Sequence, residues 1–141
     1  FITKLNSSGG LVWARALERS SGYPYTPGID VDAGGNIYAT GYFSGTIDLD
    51  PGTGVDVRTS AGGNDIYVVK LTSSGNYSWG ETFGGTGNDI GWGIFVDSVG
   101  DVHLAGAFYG SVDFDPDPLS IYELIAPGIS RSAFLVRLRQ V

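Results

Sequence analysis

The chain has 141 residues, of which 23 are Gly and 6 are Pro, and it contains no Cys and no Met. With 15 acidic against 8 basic residues its net charge is -7, the wrong sign for a nucleic-acid binder, which needs a basic stripe to displace counterions. A hydrophobic content of 42% and an aromatic content of 13% are too high for a disordered chain. Lack of Cys excludes disulfides, thiolate zinc sites and Fe–S clusters, and the single His103 excludes a multi-histidine metal site within one chain. No apolar run approaches the ~20 residues of a membrane span. The chain opens on Phe1 with neither an initiator Met nor a signal peptide, and is expected to be a mature product or an excised piece.

In chain order the elements read as strands. Phe1–Leu5 and Leu11–Leu17 flank the turn cluster Asn6-Ser7-Ser8-Gly9. Gly28–Asp32 and Asn36–Phe43 flank Asp32-Ala33-Gly34-Gly35-Asn36, where Gly meets a positive φ at little cost. Thr46–Asp50 and Val55–Thr59 alternate on either side of Pro51-Gly52-Thr53-Gly54, and predict an extra hairpin at a sheet edge. Ile66–Leu71, Tyr77–Phe83, Gly93–Asp97 and Val102–Phe108 follow, rich in β-branched and aromatic residues. Phe134–Leu138 is the last. No segment carries a helical apolar period.

This order repeats. Phe1-Ile2-Thr3-Lys4-Leu5-Asn6-Ser7-Ser8-Gly9 returns as Tyr67-Val68-Val69-Lys70-Leu71-Thr72-Ser73-Ser74-Gly75, with Trp13 answered by Trp79. Gly28-Ile29-Asp30-Val31-Asp32 returns as Gly93-Ile94-Phe95-Val96-Asp97, and the register holds through Phe43/Phe108, Asp48/Asp113, Asp50/Asp115 and Pro51/Pro116. The period is about 66 residues. It divides the chain into unit one at 1–66, unit two at 67–133, and the first strand of a third at 134–141.

Trp79, Phe83-Gly84-Gly85, Gly93-Ile94-Phe95-Val96-Asp97-Ser98, Gly100 and the run Asp65-Ile66-Tyr67-Val68-Val69-Lys70-Leu71 resemble the bacterial β-propeller repeat family, often called SBBP repeats. The resemblance covers essentially the whole chain in two copies. It departs where Glu18-Arg19-Ser20-Ser21-Gly22-Tyr23-Pro24-Tyr25-Thr26-Pro27 replaces the Gly-Gly loop of unit two. It implies an all-β fold of β-propeller blades, each a four-stranded antiparallel sheet with Ile29–Asp32 or Ile94–Asp97 nearest the axis. It implies no catalytic residues. Propellers close with ~4–8 blades, whereas about two units leave the ring incomplete, with unpaired edges at both ends. Such edges are association sites. The expected partners are copies of the chain or further blades joined through the terminal strands, in a closed oligomer or a filament. Glycans or surface proteins are the other expected partners, in an extracellular or cell-surface setting.

Four groups of residues are candidate sites. Asp48 and Asp50, and Asp113, Asp115 and Asp117, place carboxylates at alternate positions beside a turn, a pattern that suits Ca²⁺ with its demand for 6–8 oxygens; the alternative is an acidic solvent face. Gly84-Gly85-Thr86-Gly87-Asn88-Asp89 matches the opening of a calcium-binding nonapeptide, but Gly91 stands where that repeat needs an aliphatic residue, and a Gly-rich connector is favoured. Trp13 and Trp79 recur in register and are expected to pack between sheets. Tyr23, Tyr25 and Trp92 lack repeat counterparts, are expected in connectors, and are the candidate ligand or partner contacts. His103, whose counterpart is Tyr38, is expected to be an ordinary strand residue, and Gly-x-Ser-x-Gly is absent. Asn6-Ser7-Ser8 and Asn76-Tyr77-Ser78 fit the N-glycosylation pattern at equivalent hairpin tips. The leading expectation is a non-enzymatic extracellular scaffold or interaction module. The alternatives are a calcium-stabilised lectin-like propeller and a fragment of a propeller enzyme acting on polysaccharide.

Overall fold

A computed structural model describes residues 1–19, 24–117 and 119–139. Its described residues form strands joined by turns, arranged in several small antiparallel sheets, none of them closed. A hairpin of β1 (Ile2–Leu5) and β2 (Leu11–Arg15) comes first. The central sheet follows, in the order β4 (Tyr25–Val31), β5 (Ile37–Phe43), β8 (Asp65–Leu71) and β9 (Tyr77–Phe83). A third sheet runs β10 (Ile90–Val96), β11 (Val102–Tyr109) and β14 (Arg131–Leu138). The expected hairpins form as β6 (Thr46–Asp48) with β7 (Val57–Thr59), joined by the short β3 (Glu18–Arg19), and as β12 (Ser111–Asp113) with β13 (Glu123–Ile125).

The central sheet straddles the two repeats, taking β4 and β5 from within the first and β8 and β9 from the boundary and start of the second. Its burial follows from strand alternation. In β8, Ile66 and Val68 face a core shared with Val102, Leu104, Phe108 and Phe134 of the third sheet. Tyr67, Val69 and Leu71 point the other way, to a core shared with Ile2 and Trp13 of the β1–β2 hairpin. Both faces of β8 are therefore dry, and each such Ile, Val or Leu side chain contributes roughly 1.5–3 kcal/mol of transfer free energy. The outer sheets are covered on one face only. In β14, Phe134 and Leu138 are buried while Leu135 is 76% exposed.

The sheets meet along one side. Strand β10 packs beside β4 and β5, and the Val96 N–H donates to Asp30 Oδ2 at 2.7 Å. The turns that join β4 to β5 and β10 to β11 are alike: Gly35 and Gly100 take φ of 78° and 93°, a region costly for any residue with a Cβ. In each turn an aspartate gathers the returning chain. Asp32 Oδ1 accepts the Asn36 N–H at 2.9 Å and Asp97 Oδ1 accepts the Asp101 N–H at 3.0 Å.

Strands β4 and β10 begin earlier than the sequence suggests. Each contains an irregular step, between Tyr25 and Gly28 and between Gly91 and Gly93, which lets the strand continue past the break in its alternation. Tyr25 and Trp92 accordingly lie in strands, not in connectors.

Candidate functional site

The aspartates whose spacing suits calcium lie at two hairpin turns. Asp48 ends β6, and its Oδ1 accepts the N–H of Asp50 at 3.0 Å and of Asp56 at 2.8 Å. Asp113 repeats this at the end of β12, accepting from Asp115 at 3.0 Å and Tyr122 at 2.8 Å. Asp50 accepts the Gly52 N–H, Asp115 the Asp117 N–H, and Asp117 the Leu119 N–H. A hydrogen bond from the Ser120 hydroxyl, with the Asp117 backbone bond, holds the Asp115 carboxyl below its usual value. Each aspartate thus closes its own turn, and the two sets sit in separate hairpins. No three His, Asp or Glu side chains converge as a metal set among the described residues.

The aromatic candidates are dispersed. Tyr23 lies outside the described residues. Tyr25 is 58% exposed at the start of β4 and packs its ring 5.5 Å from that of Tyr42. Trp92 is 50% exposed in β10, with the Arg131 guanidinium 5.7 Å from its ring centroid and 5.1 Å from that of Tyr109. An open groove of about 420 Å³, lined by Asn64, Gly87, Asn88, Ile90, Tyr109 and Arg131, lies beside them. Trp13 and Trp79 do pack: Trp13 lies against Gly75, its ring N–H reaching Ser73 O at 3.3 Å, and Trp79 meets Tyr38 edge-on at 6.3 Å. His103 and Tyr38 share a role that their repeat positions hint at. His103 Nε2 lies 3.0 Å from Asp97 Oδ2, and the Tyr38 hydroxyl donates to Asp32 Oδ2 at 3.2 Å, so each steadies its turn aspartate.

A larger cavity of about 580 Å³ lies along the outer edge of β14, lined by Phe114, Asp115, Pro116, Tyr122 and residues 135–139. The equivalent place in the central sheet is filled. There β9 pairs with β8, Leu49 closes over Gly80, and Arg58 of the hairpin donates to Gly80 O at 2.8 Å. The Tyr77 hydroxyl bonds Asp56, and Arg58 pairs with Asp56 at 2.7 Å. By repeat position Phe114 stands for Leu49, and Tyr122 and Leu124 stand for Asp56 and Arg58. Among the described residues the outer edge of β14 is unpaired where β8 carries β9, and Phe114 and Tyr122 of the hairpin lie beside it. Ala133, Leu135 and Arg137 are exposed on the open face of β14.

Residues 84–89 link β9 to β10, the connector role expected of that Gly-rich run. Sequence reasoning missed what the connector encloses. Asp89 is fully buried; its Oδ2 accepts the Gly85 N–H at 2.8 Å and its Oδ1 the Tyr109 N–H at 2.9 Å. Asp65, 4% exposed at the start of β8, accepts the Ala61 N–H at 2.8 Å through Oδ2. Its Oδ1 is the one buried side-chain polar atom without a hydrogen-bond partner among the described residues. Gly84 has no room for a Cβ, which would fall on the Asp65 carboxylate. Burial pushes the Asp65 carboxyl up to about 6; the Ala61 bond opposes this and the Asp89 charge adds to it. The signal available in the sequence was Asp65 itself, an acid opening a strand that is apolar apart from Lys70.

No protein-family model and no curated protein matches the chain.

Proposed function

We propose that the chain is a segment of a β-propeller, with the central sheet as a complete blade and the β1–β2 hairpin and the third sheet as parts of its neighbours. It serves as a non-enzymatic, extracellular scaffold and interaction module that joins further blades or copies of itself through its outer strands. The observation that carries this reading is the contrast between β8 and β14. These are repeat equivalents, yet β8 is paired on both edges and buried on both faces, while β14 has an open edge and an exposed face. A strand edge with apolar side chains and a preformed cavity is a template for strand addition. The order β4-β5-β8-β9, with β4 and β10 side by side, suits blades set around an axis.

Sedimentation of the purified chain over a wide concentration range tests this. The expected result is a mass that grows with concentration, and a loss of that growth in Leu135→Lys, which sets a charge on the exposed face of β14 without entering the core. A folded monomer at every concentration would sink the self-association. A mass unchanged by Leu135→Lys would move the contact away from β14.

A further inference from the structure

We infer that the groove beside Trp92 is a binding site for an acidic saccharide, a uronate, which it takes without a metal ion. Its volume of about 420 Å³ lies in the range of small-ligand sites. Asn64 and Asn88 line it on the connector side, Tyr109 and Arg131 on the side of the third sheet. The chain carries 15 acidic residues against 8 basic, yet no carboxylate lines the groove. Its one cation is Arg131, which makes no ion pair among the described residues. The guanidinium lies instead 5.7 Å from the Trp92 ring centroid and 5.1 Å from that of Tyr109. A guanidinium held against two rings loses little freedom on binding, and its fork matches a carboxylate in two parallel hydrogen bonds.

The remaining groups suit a sugar better than a peptide. Asn88 Oδ1 accepts the Asn64 N–H at 3.1 Å and the Asn64 side-chain amide at 3.2 Å. That pairing fixes both side chains and leaves Asn88 Nδ2 to donate and Asn64 Oδ1 to accept, the mixed set that hydroxyl groups require. Ile90 is the one aliphatic residue of the lining, so an apolar side chain would find no pocket. The C–H face of a sugar ring needs only a flat apolar platform, and Trp92 is 50% exposed. The groove is braced from behind: the Tyr109 N–H donates to Asp89 Oδ1 at 2.9 Å and the Gly63 N–H to Gly87 O at 2.9 Å. By repeat position Trp92 answers Pro27 and Tyr109 answers Ser44, so the two rings are not demanded by the repeated fold. The groove lies within one chain and stands whether or not copies join.

The test titrates the chain, in EDTA, with the methyl glycosides of glucuronic and galacturonic acid and with those of glucose and galactose, followed by Trp fluorescence and saturation-transfer NMR. Each acid differs from its neutral partner only in a carboxylate for a hydroxymethyl group. The expected result is that at least one uronide binds, about tenfold more tightly than its neutral partner. Arg131→Gln brings the two level, and Asn88→Ala weakens both. Leu135→Lys changes neither, which separates a failure of this site from a failure of self-association. Absence of binding by either uronide overturns the proposal, as does equal binding of acid and neutral partner or a preference that survives Arg131→Gln. Displacement of the uronide by an equal concentration of acetate also overturns it, since that marks a plain anion site. Should Arg131→Gln fail to fold, the comparison of paired sugars on the unaltered chain still decides.

Discussion

At the scale of single residues, aspartate does most of the shaping, and its roles divide by burial. Asp48 gathers two backbone N–H groups from both sides of its hairpin, whereas Asp50 holds one N–H at an exposed tip. Asp48→Ala is therefore expected to cost about 1–2 kcal/mol in urea unfolding, and Asp50→Ala less than about 0.5 kcal/mol. Asp65 behaves oppositely to these turn residues. Its folded carboxyl titrates at about 6, above its ordinary 3.8, so the folded state holds the proton more tightly than the unfolded chain does. The stability tied to that proton is present below pH 4 and is lost as the pH rises towards and through 6, where Asp89 faces the newly formed charge. In EDTA, the Tm of the unaltered chain should fall relative to Asp65→Asn between these limits. Parallel curves across that window would show that Asp65 does not titrate there. Asp32 is also buried enough to feel desolvation, but its bonds from Asn36 and Tyr38 outweigh this and hold it low, so its contribution is lost only at more acidic pH.

At the scale of elements, the β1–β2 hairpin is a two-stranded sheet joined to the shared core by few buried side chains. Ile2 and Trp13 alone anchor it in the shared core, helped by Lys4 Nζ on Ser73 O at 2.9 Å and Arg15 Nε on Gly75 O at 2.7 Å. An isolated two-stranded hairpin is marginal in water. Trp13→Ala removes its largest buried contact, a loss of about 3–5 kcal/mol for such a side chain. The hairpin is a separate two-stranded sheet, so the expected effect is local. Hydrogen exchange should show β1 and β2 losing protection while β5 and β8 keep theirs. Equal loss across the central sheet would mean that the hairpin and sheet unfold as one unit.

For the whole molecule, the decisive feature is that the central sheet is buried on both faces while the outer sheets each leave a face exposed. The central sheet is sandwiched, while the outer sheets leave Leu11 66%, Leu5 57% and Leu135 76% exposed. Copies meeting at these surfaces each bring a net charge of -7. Apolar burial would drive their association and charge repulsion would oppose it. Raising the salt concentration is therefore expected to strengthen self-association by screening. Weakening on added salt, measured by sedimentation, would point instead to ion pairs across the contact.

The sequence by itself determined most of the long strands, their turns, the Thr46–Thr59 hairpin and the repeat, because these depend on local chemistry: β-branched runs, Gly at positive φ, and alternation about Pro-Gly; the short β3 and β13 carry no such pattern. It also placed Trp13 and Trp79 correctly as packing residues, since repetition in register marks a structural role. Tertiary structure decided the rest. Tyr25 and Trp92 lie in strands because irregular steps in β4 and β10 let pairing continue where alternation breaks, and periodicity cannot register an inserted residue. The grouping of strands escaped the repeat because a repeat has a period but no phase. Only hydrogen bonding shows that one sheet is shared between two units. The acidic turns drew attention through their spacing, yet spacing does not say which oxygens are already taken by backbone N–H groups. Asp65 and Asp89 lie far apart along the chain, and their shared burial is a property of the folded connector that no local pattern encodes.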